Sequence, residues 1–297
     1  MKSATPLRRT ISRVVTVPPL GPGFAGPAHT AAEIISPNDF VATDPFFLMM
    51  DDRFSVAGPI GGEHPHAGLE TVSFMLEGTS EDLGGKIAAG DVEWMTAGGG
   101  IVHAEEAVSS AGMRLLQTWV VLPEDQRNIA PRVQILRRDD MPVRREPGVE
   151  ARIYSGRSGG LEAETLNAVP VTLLDIRLES GASFEQEMPS SYNGFLLVLE
   201  GEVAAGAAPV SLAAGQAGWL DHVSQAGSSV LSIRTGVNPS RALFYAGERQ
   251  NINLASRGPF IAGSEADLAQ MFARYRRGEF PRASSLRALA EQHGERT

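Results

Sequence analysis

The chain contains no cysteine. Disulfides, thiolate metal sites, iron–sulfur clusters and a cysteine nucleophile are therefore excluded, and the composition fits a reducing compartment. No stretch approaches the roughly 18 consecutive apolar residues of a membrane-spanning helix. The opening MKSATPLRRTISRVVTVPPLGPG has arginines but no apolar run of useful length, so no signal peptide is expected and the cytoplasm is the expected location. A long basic run is also missing. With a formal charge of -9 and a pI near 5.2, the chain repels a polyanion such as DNA, so direct nucleic-acid binding is not expected. The short pairs Arg137-Arg138, Arg144-Arg145 and Arg276-Arg277 read as solvated faces. Neither a phosphate-binding glycine loop between a strand and a helix nor a Ser/His/Asp arrangement is found.

What is present suits a folded, strand-rich protein. A length of 297 residues allows two ordinary domains, and 42% hydrophobic with 21% charged residues places the chain among globular proteins. Short apolar or alternating runs at 71–76, 91–95, 115–122, 172–178, 195–199, 217–220 and 230–235 are bounded by turn signals such as Glu77-Gly78, Gly98-Gly99-Gly100 and Glu200-Gly201. The one convincing helix starts at Ser264, capped three residues on by Asp267. It continues with Leu268, Met271, Phe272 and Tyr275 at helical spacing and stops at Gly278 and Pro281.

An internal repeat organises the strands. FMLEG at 74–78 returns as LVLEG at 197–201, an offset of 123, and GDVEW at 90–94 returns as GQAGW at 215–219, an offset of 125. The expected organisation is one domain over 1–135 and a second over 136–297, with a charged connection at about 123–148. Trp94 and Trp219 occupy matching positions and are expected in the core.

Histidine is scarce, with six in the chain, and three of them fall in two short clusters, His64-Pro65-His66 and His103-Ala104-Glu105. Residues i and i+2 of a strand point to the same face. Two strands can therefore aim three imidazoles and one carboxylate at a point, a ligand set for a divalent transition metal: Fe(II), Mn, Co, Ni, Cu or Zn. Six-coordination with four protein ligands leaves two positions open. Glu70, four residues after His66, rivals Glu105 for the carboxylate; Glu77 and Glu106 are weaker. Carrying His64, His66, His103 and Glu105 forward by the repeat offsets lands on Glu187, Pro189, Ser228 and Val230, so the metal is expected in the N-terminal domain only. Gln117 is expected to be a structural amide, and His29, His222 and His293 surface or structural residues.

DPFFLMMDD (44–52), HPHAGLETVSFMLEG (64–78), GDVEWMTAGGGIVHAEE (90–106) and LLQTWVVLP (115–123) resemble the pirin family of the cupin superfamily, as do the second repeat and RGPFIAG (257–263) with the helix after it. The resemblance implies an all-β bicupin: two antiparallel, jelly-roll β-barrels with a few short helices, mainly C-terminal. It also implies iron held by His64, His66, His103 and Glu105, which favours Glu105 over Glu70. Pirins usually carry a basic residue after HPH, an aromatic two residues further on, and often arginine in the glycine turn. Here these positions hold Ala67, Leu69 and Gly99, which changes the charge and shape around the site.

Two functional classes follow from the resemblance. One is a quercetin 2,3-dioxygenase, which opens the central ring of a flavonol with O2 and releases carbon monoxide, Glu105 accepting the proton of the 3-hydroxyl. Its partners are an aromatic small molecule and O2. The other is a regulatory metal-binding protein that modulates a transcription factor or a metabolic enzyme. The dioxygenase is the leading expectation, and a cupin isomerase working without O2 is a weaker one. A monomer is expected, because the duplication already supplies two domains.

Overall fold

The computed structural model describes residues 6–82, 85–109 and 111–286. The chain divides into two compact units, each built from two stretches. One joins Pro18–Asp140 to the chain from Gln250 onward; the other joins the chain up to Val17 to Met141–Arg249. Both ends of the chain thus join the distant half of the sequence: the N-terminal strand at 11–16 pairs with 216–220, and the chain after Arg249 bonds back to Asp44 and Ala67.

In the first unit, six strands carry the architecture: β1 (Phe46–Phe54), β2 (Gly58–His66), β3 (Leu69–Glu77), β4 (Val92–Thr96), β5 (Ile101–Ala107) and β6 (Met113–Val121). A seven-stranded sheet runs from Arg132–Leu136 through β4, β3, β6 and β1 to His29–Ile35 and Gly21–Pro22. A four-stranded sheet orders β2, β5, Thr79–Asp82 and Gly85–Ala88. The seven expected runs all fall on strands, and the two tryptophans are buried as expected.

The second unit repeats this plan with β7 (Val171–Leu178), β8 (Ser183–Pro189), β9 (Tyr192–Glu200), β10 (Gln216–Leu220), β11 (Ser228–Thr235) and β12 (Ser240–Glu248). The order β10-β9-β12-β7 reproduces β4-β3-β6-β1, and β8 pairs with β11 as β2 pairs with β5. The N-terminal strand Ile11–Thr16 completes the edge beside β10. Each sheet is an open path of paired strands; the bicupin plan is present, while a closed ring of hydrogen-bonded strands is not seen among the described residues.

A side-chain cluster marks the duplication as clearly as the sheet order does. Asp51 on β1 takes both Arg114 guanidinium donors at 2.9 Å, and Arg114 reaches Glu77 at 3.8 Å. Asp175 on β7 takes Arg241 at 2.9 and 3.0 Å, and Arg241 reaches Glu200 at 3.8 Å. The glutamates of the two LEG repeats are thus partners of a strand-crossing arginine, which accounts for their recurrence.

After the second unit the chain returns to the first. The Asp44 carboxylate accepts from the backbone N–H groups of Gln250 (2.9 Å) and Asn251 (2.7 Å). Ala67 N–H donates to Pro259 O, and Ile261 N–H to Ala67 O. Gly68 has φ +79°, and a Cβ there would lie 1.9 Å from Ile261 O, so only glycine allows this approach. Helix α1 (Glu265–Arg276) follows, with Ser264 Oγ accepting from Asp267 N–H as expected. Its Leu268 and Met271 pack with Ala67, Phe260, Ala262 and Phe280. No helix among the described residues is long and apolar enough to cross a membrane.

Candidate metal centre

Strands β2 and β5 pair so that His103 stands directly opposite His64, and Ile101 opposite His66. The i, i+2 spacing sends all three imidazoles to one side. Their ring centroids lie 4.4 Å (His64–His103), 5.0 Å (His64–His66) and 5.1 Å (His66–His103) apart, and one ring nitrogen from each falls within 4.8 Å of the others. His64 Nδ1 lies 2.9 Å from Gly62 O. Donation there leaves its Nε2 as a bare lone pair, aimed at His103 Nε2 3.0 Å away. Two ring nitrogens this close need a proton or a cation between them.

His66 is buried, and neither of its ring nitrogens has a hydrogen-bond partner. Burial pushes its pKa well below the ordinary histidine value, and the neighbouring His103 and His64 push it further the same way. It is held as the neutral imidazole, the form that ligates a metal. A buried polar ring with both nitrogens unanswered is costly in an apolar core. This is the observation that makes the trio fit a cation.

Glu105, two residues after His103, is also buried. One of its oxygens falls within 4.8 Å of His103 and of a second acid, Glu93 on β4. Glu105 joins the histidines through His103; among the described residues the four expected ligands do not form one group within 4.8 Å. Glu70 belongs elsewhere. It alternates with Thr71, which is paired with Trp119, and Trp119 is the ring that meets His66 edge-on at 5.3 Å. Glu70 therefore faces the other side of the sheet, where Thr96 Oγ1 donates to its Oε1 at 2.7 Å. Glu77 and Glu106 are exposed. Gln117 accepts from Trp119 Nε1 at 3.2 Å. His29 is buried against Phe54 and bonded to Asp52 at 2.8 Å, and His222 is exposed beside Arg249. His293 lies outside the described residues.

Ala67 and Leu69 pack in apolar clusters under the returning chain. Gly99, the third departure from the pirin pattern, has the Arg274 guanidinium 3.7 Å from its Cβ position, so a basic group from α1 stands near the place of the missing arginine.

The interior of the first unit changes character along its strands. One end is apolar, with Phe54, Ile60, Met75, Ile87, Ala107, Met113 and Leu115. One step further, Glu93, Ser73 and Gln117 stand in register across β4, β3 and β6. In the second unit the matching row is Gly218, Leu196 and Phe244. The positions facing inward on β8 and β11 are Phe184, Met188, Leu231 and Ile233, all in one apolar core, with Gln186 opposite Leu231. This corrects the expected equivalences. Glu187 and Pro189 are exposed on the outer face, and the inward pair Gln186–Leu231 is directly opposed as His64–His103 is. A one-residue slip exchanges the faces of a strand. Glu93 was not among the expected site residues; its alternation with the buried Trp94 was the available signal.

Comparison with known proteins agrees with this geometry. A family model described as Pirin matches residues 32–120, and one described as the Pirin C-terminal cupin domain matches residues 173–281. A pirin-like protein of Solanum lycopersicum is 33% identical over 80% of this chain and 81% of its own length. Among solved structures, GK1651 from Geobacillus kaustophilus is 38% identical, covers 84% of this chain and all of its own, and has a TM-score of 0.78. A quercetin 2,3-dioxygenase from Acinetobacter baumannii shares the fold, with a TM-score of 0.78 at 24% identity over 92% of this chain and 98% of its own. So does the Escherichia coli pirin YhhW solved with nickel(II), with a TM-score of 0.60 at 21% identity over 80% and 99%. With both cupin domains matched and the duplicated sheets in place, the chain belongs to the pirin family.

Proposed function

We propose that the protein is a metal-dependent dioxygenase that uses O2 to open quercetin or a related flavonol or enolic aromatic molecule. Its one metal site lies in the first unit, with His64, His66, His103 and Glu105 as ligands. The observation that carries this reading is the buried His66 ring with both nitrogens unpartnered, in a cluster of three imidazoles. The second unit fills the matching space with Gln186, Met188 and Leu231. Fe(II) is the leading metal; Mn, Co, Ni, Cu and Zn suit the same nitrogen and oxygen donors, and the nickel(II) of the pirin YhhW supports a divalent ion. When bound, such a metal supplies Lewis acidity toward an oxygen ligand, and iron adds redox capacity.

The residues of the chain set the rest. Burial keeps the His66 lone pair available by holding the ring neutral. In this reading a Glu105 carboxylate oxygen accepts the proton of the substrate's 3-hydroxyl. Trp119 offers a flat apolar surface, lying parallel to Phe47 at 6.4 Å and edge-on to His66, which suits an aromatic ring system and keeps water from its face.

The test is anaerobic loading with Fe(II), measurement of metal content, then addition of quercetin and O2 with detection of carbon monoxide. One iron per chain and carbon monoxide in proportion to quercetin consumed are expected, both lost in His103→Ala. One iron without carbon monoxide would move the reading to a regulatory, non-enzymatic protein, and no bound metal would overturn it.

A further inference from the structure

Glu93 is 1% exposed, and one of its carboxylate oxygens lies within 4.8 Å of both a His103 ring nitrogen and a Glu105 oxygen. Two ionised carboxylates at that separation repel each other, and a cation near both relieves the repulsion, as a shared proton also does. The internal duplication acts as a control. The residue of β10 in the place of Glu93 is Gly218, and its row is completed by Leu196 and Phe244. The fold therefore does not require an acid at this position. The acid occurs in the unit that holds the imidazole cluster and is missing from the unit that does not.

We propose that Glu93 is the second carboxylate of the metal site, supplying with Glu105 the two negative charges that balance a divalent cation. The assignment rests on the metal-site reading above. Three neutral imidazoles bring no charge, so Glu105 alone leaves the loaded site with one net positive charge, and Glu93 cancels it. Glu93 acts as a positioning and charge-balancing residue on the His103–Glu105 side of the cluster.

The experiment is titration of metal-free wild type and Glu93→Gln with Co(II), following the visible absorption of the bound ion and the metal-induced rise in Tm. Both proteins are expected to bind one Co(II). The variant should bind about tenfold more weakly, in line with the roughly 10–100-fold effect of carboxylates supporting metal ligands, with an altered absorption spectrum and a smaller rise in Tm. Glu93→Asp, which keeps the charge and shortens its reach, should recover part of the affinity. Equal Co(II) affinity and spectrum in wild type and Glu93→Gln would overturn the assignment and leave the histidine site standing. So would an aspartate variant no better than the glutamine one. Wild type that binds no Co(II) would overturn both this inference and the metal-site reading.

Discussion

Asp51 illustrates how much one side chain can decide away from the metal centre. It is buried, and Arg114 and Arg53 both donate to it. Burial works to raise its pKa, but the hydrogen bonds and charges of Arg114 and Arg53 outweigh it and hold the carboxyl below its ordinary value. Asp51→Asn should lower stability by about 2 kcal/mol, the scale of a hydrogen-bonded charge pair, measured by denaturant unfolding at neutral pH. The sign of the pH dependence follows from the depressed pKa. The folded state keeps its proton off longer than the unfolded chain does, so the contribution is complete above the ordinary carboxylate value of about 3.9 and is lost as pH falls below it. The gap between wild type and Asp51→Asn should close there, and a gap of unchanged size in acid would count against this account. His66 shows the opposite use of burial: no partner answers its ring, and the resulting neutral imidazole is what a metal requires.

At the scale of elements, the ends of β2 and β3 are tied to the returning chain. Gly62 and Gly68 both have positive φ, +73° and +79°, but a Cβ at Gly62 meets nothing within 4 Å while one at Gly68 meets Ile261 O. Gly62→Ala should therefore cost only the backbone strain, about 1–2 kcal/mol. Gly68→Ala should cost more and also weaken metal binding, because it displaces the segment packed beside His66; thermal melts and Co(II) titration of the two variants check this, and equal effects would sink it. This region also shows what the sequence could and could not reveal. The strands were legible because their alternation and turns are local, and so was the His64/His66 pair, because i and i+2 share a face. The register of the second copy was not. The inward face of β8 is one residue out of step with the offset that aligns β3 with β9, so counting 123 residues from His64 reached Glu187 when the inward neighbour was Gln186. Glu93 was missed for a related reason: the repeat marked Trp94 as core, and a neighbour that alternates away from one core meets the other face, which in this unit is the site. The Asp51–Arg114 pair joins strands 63 residues apart and leaves no local pattern.

On the scale of the whole molecule, each unit is finished by the far end of the chain. Truncation after Arg249 removes both backbone donors to Asp44 and the strand and helix packed on Ala67 and Gly68, while Met141–Arg249 and the N-terminal strand remain. Metal stoichiometry should fall well below one per chain, with one calorimetric unfolding transition lost and another kept. Full metal loading of the truncated protein would contradict this. The same arrangement has a consequence for biosynthesis. His64, His66, His103 and Glu105 are made early, but Phe260 and α1, which pack on their neighbours Ala67 and Val102, follow about 150 residues later. At about 5–20 residues per second, that is a delay of roughly 8–30 s. Through that interval the strands that carry the imidazoles lack the segment that packs on Ala67 and Val102. On the metal-site reading, which cation reaches the imidazoles first is then set by the supply around the nascent polypeptide as well as by the affinity of the finished site.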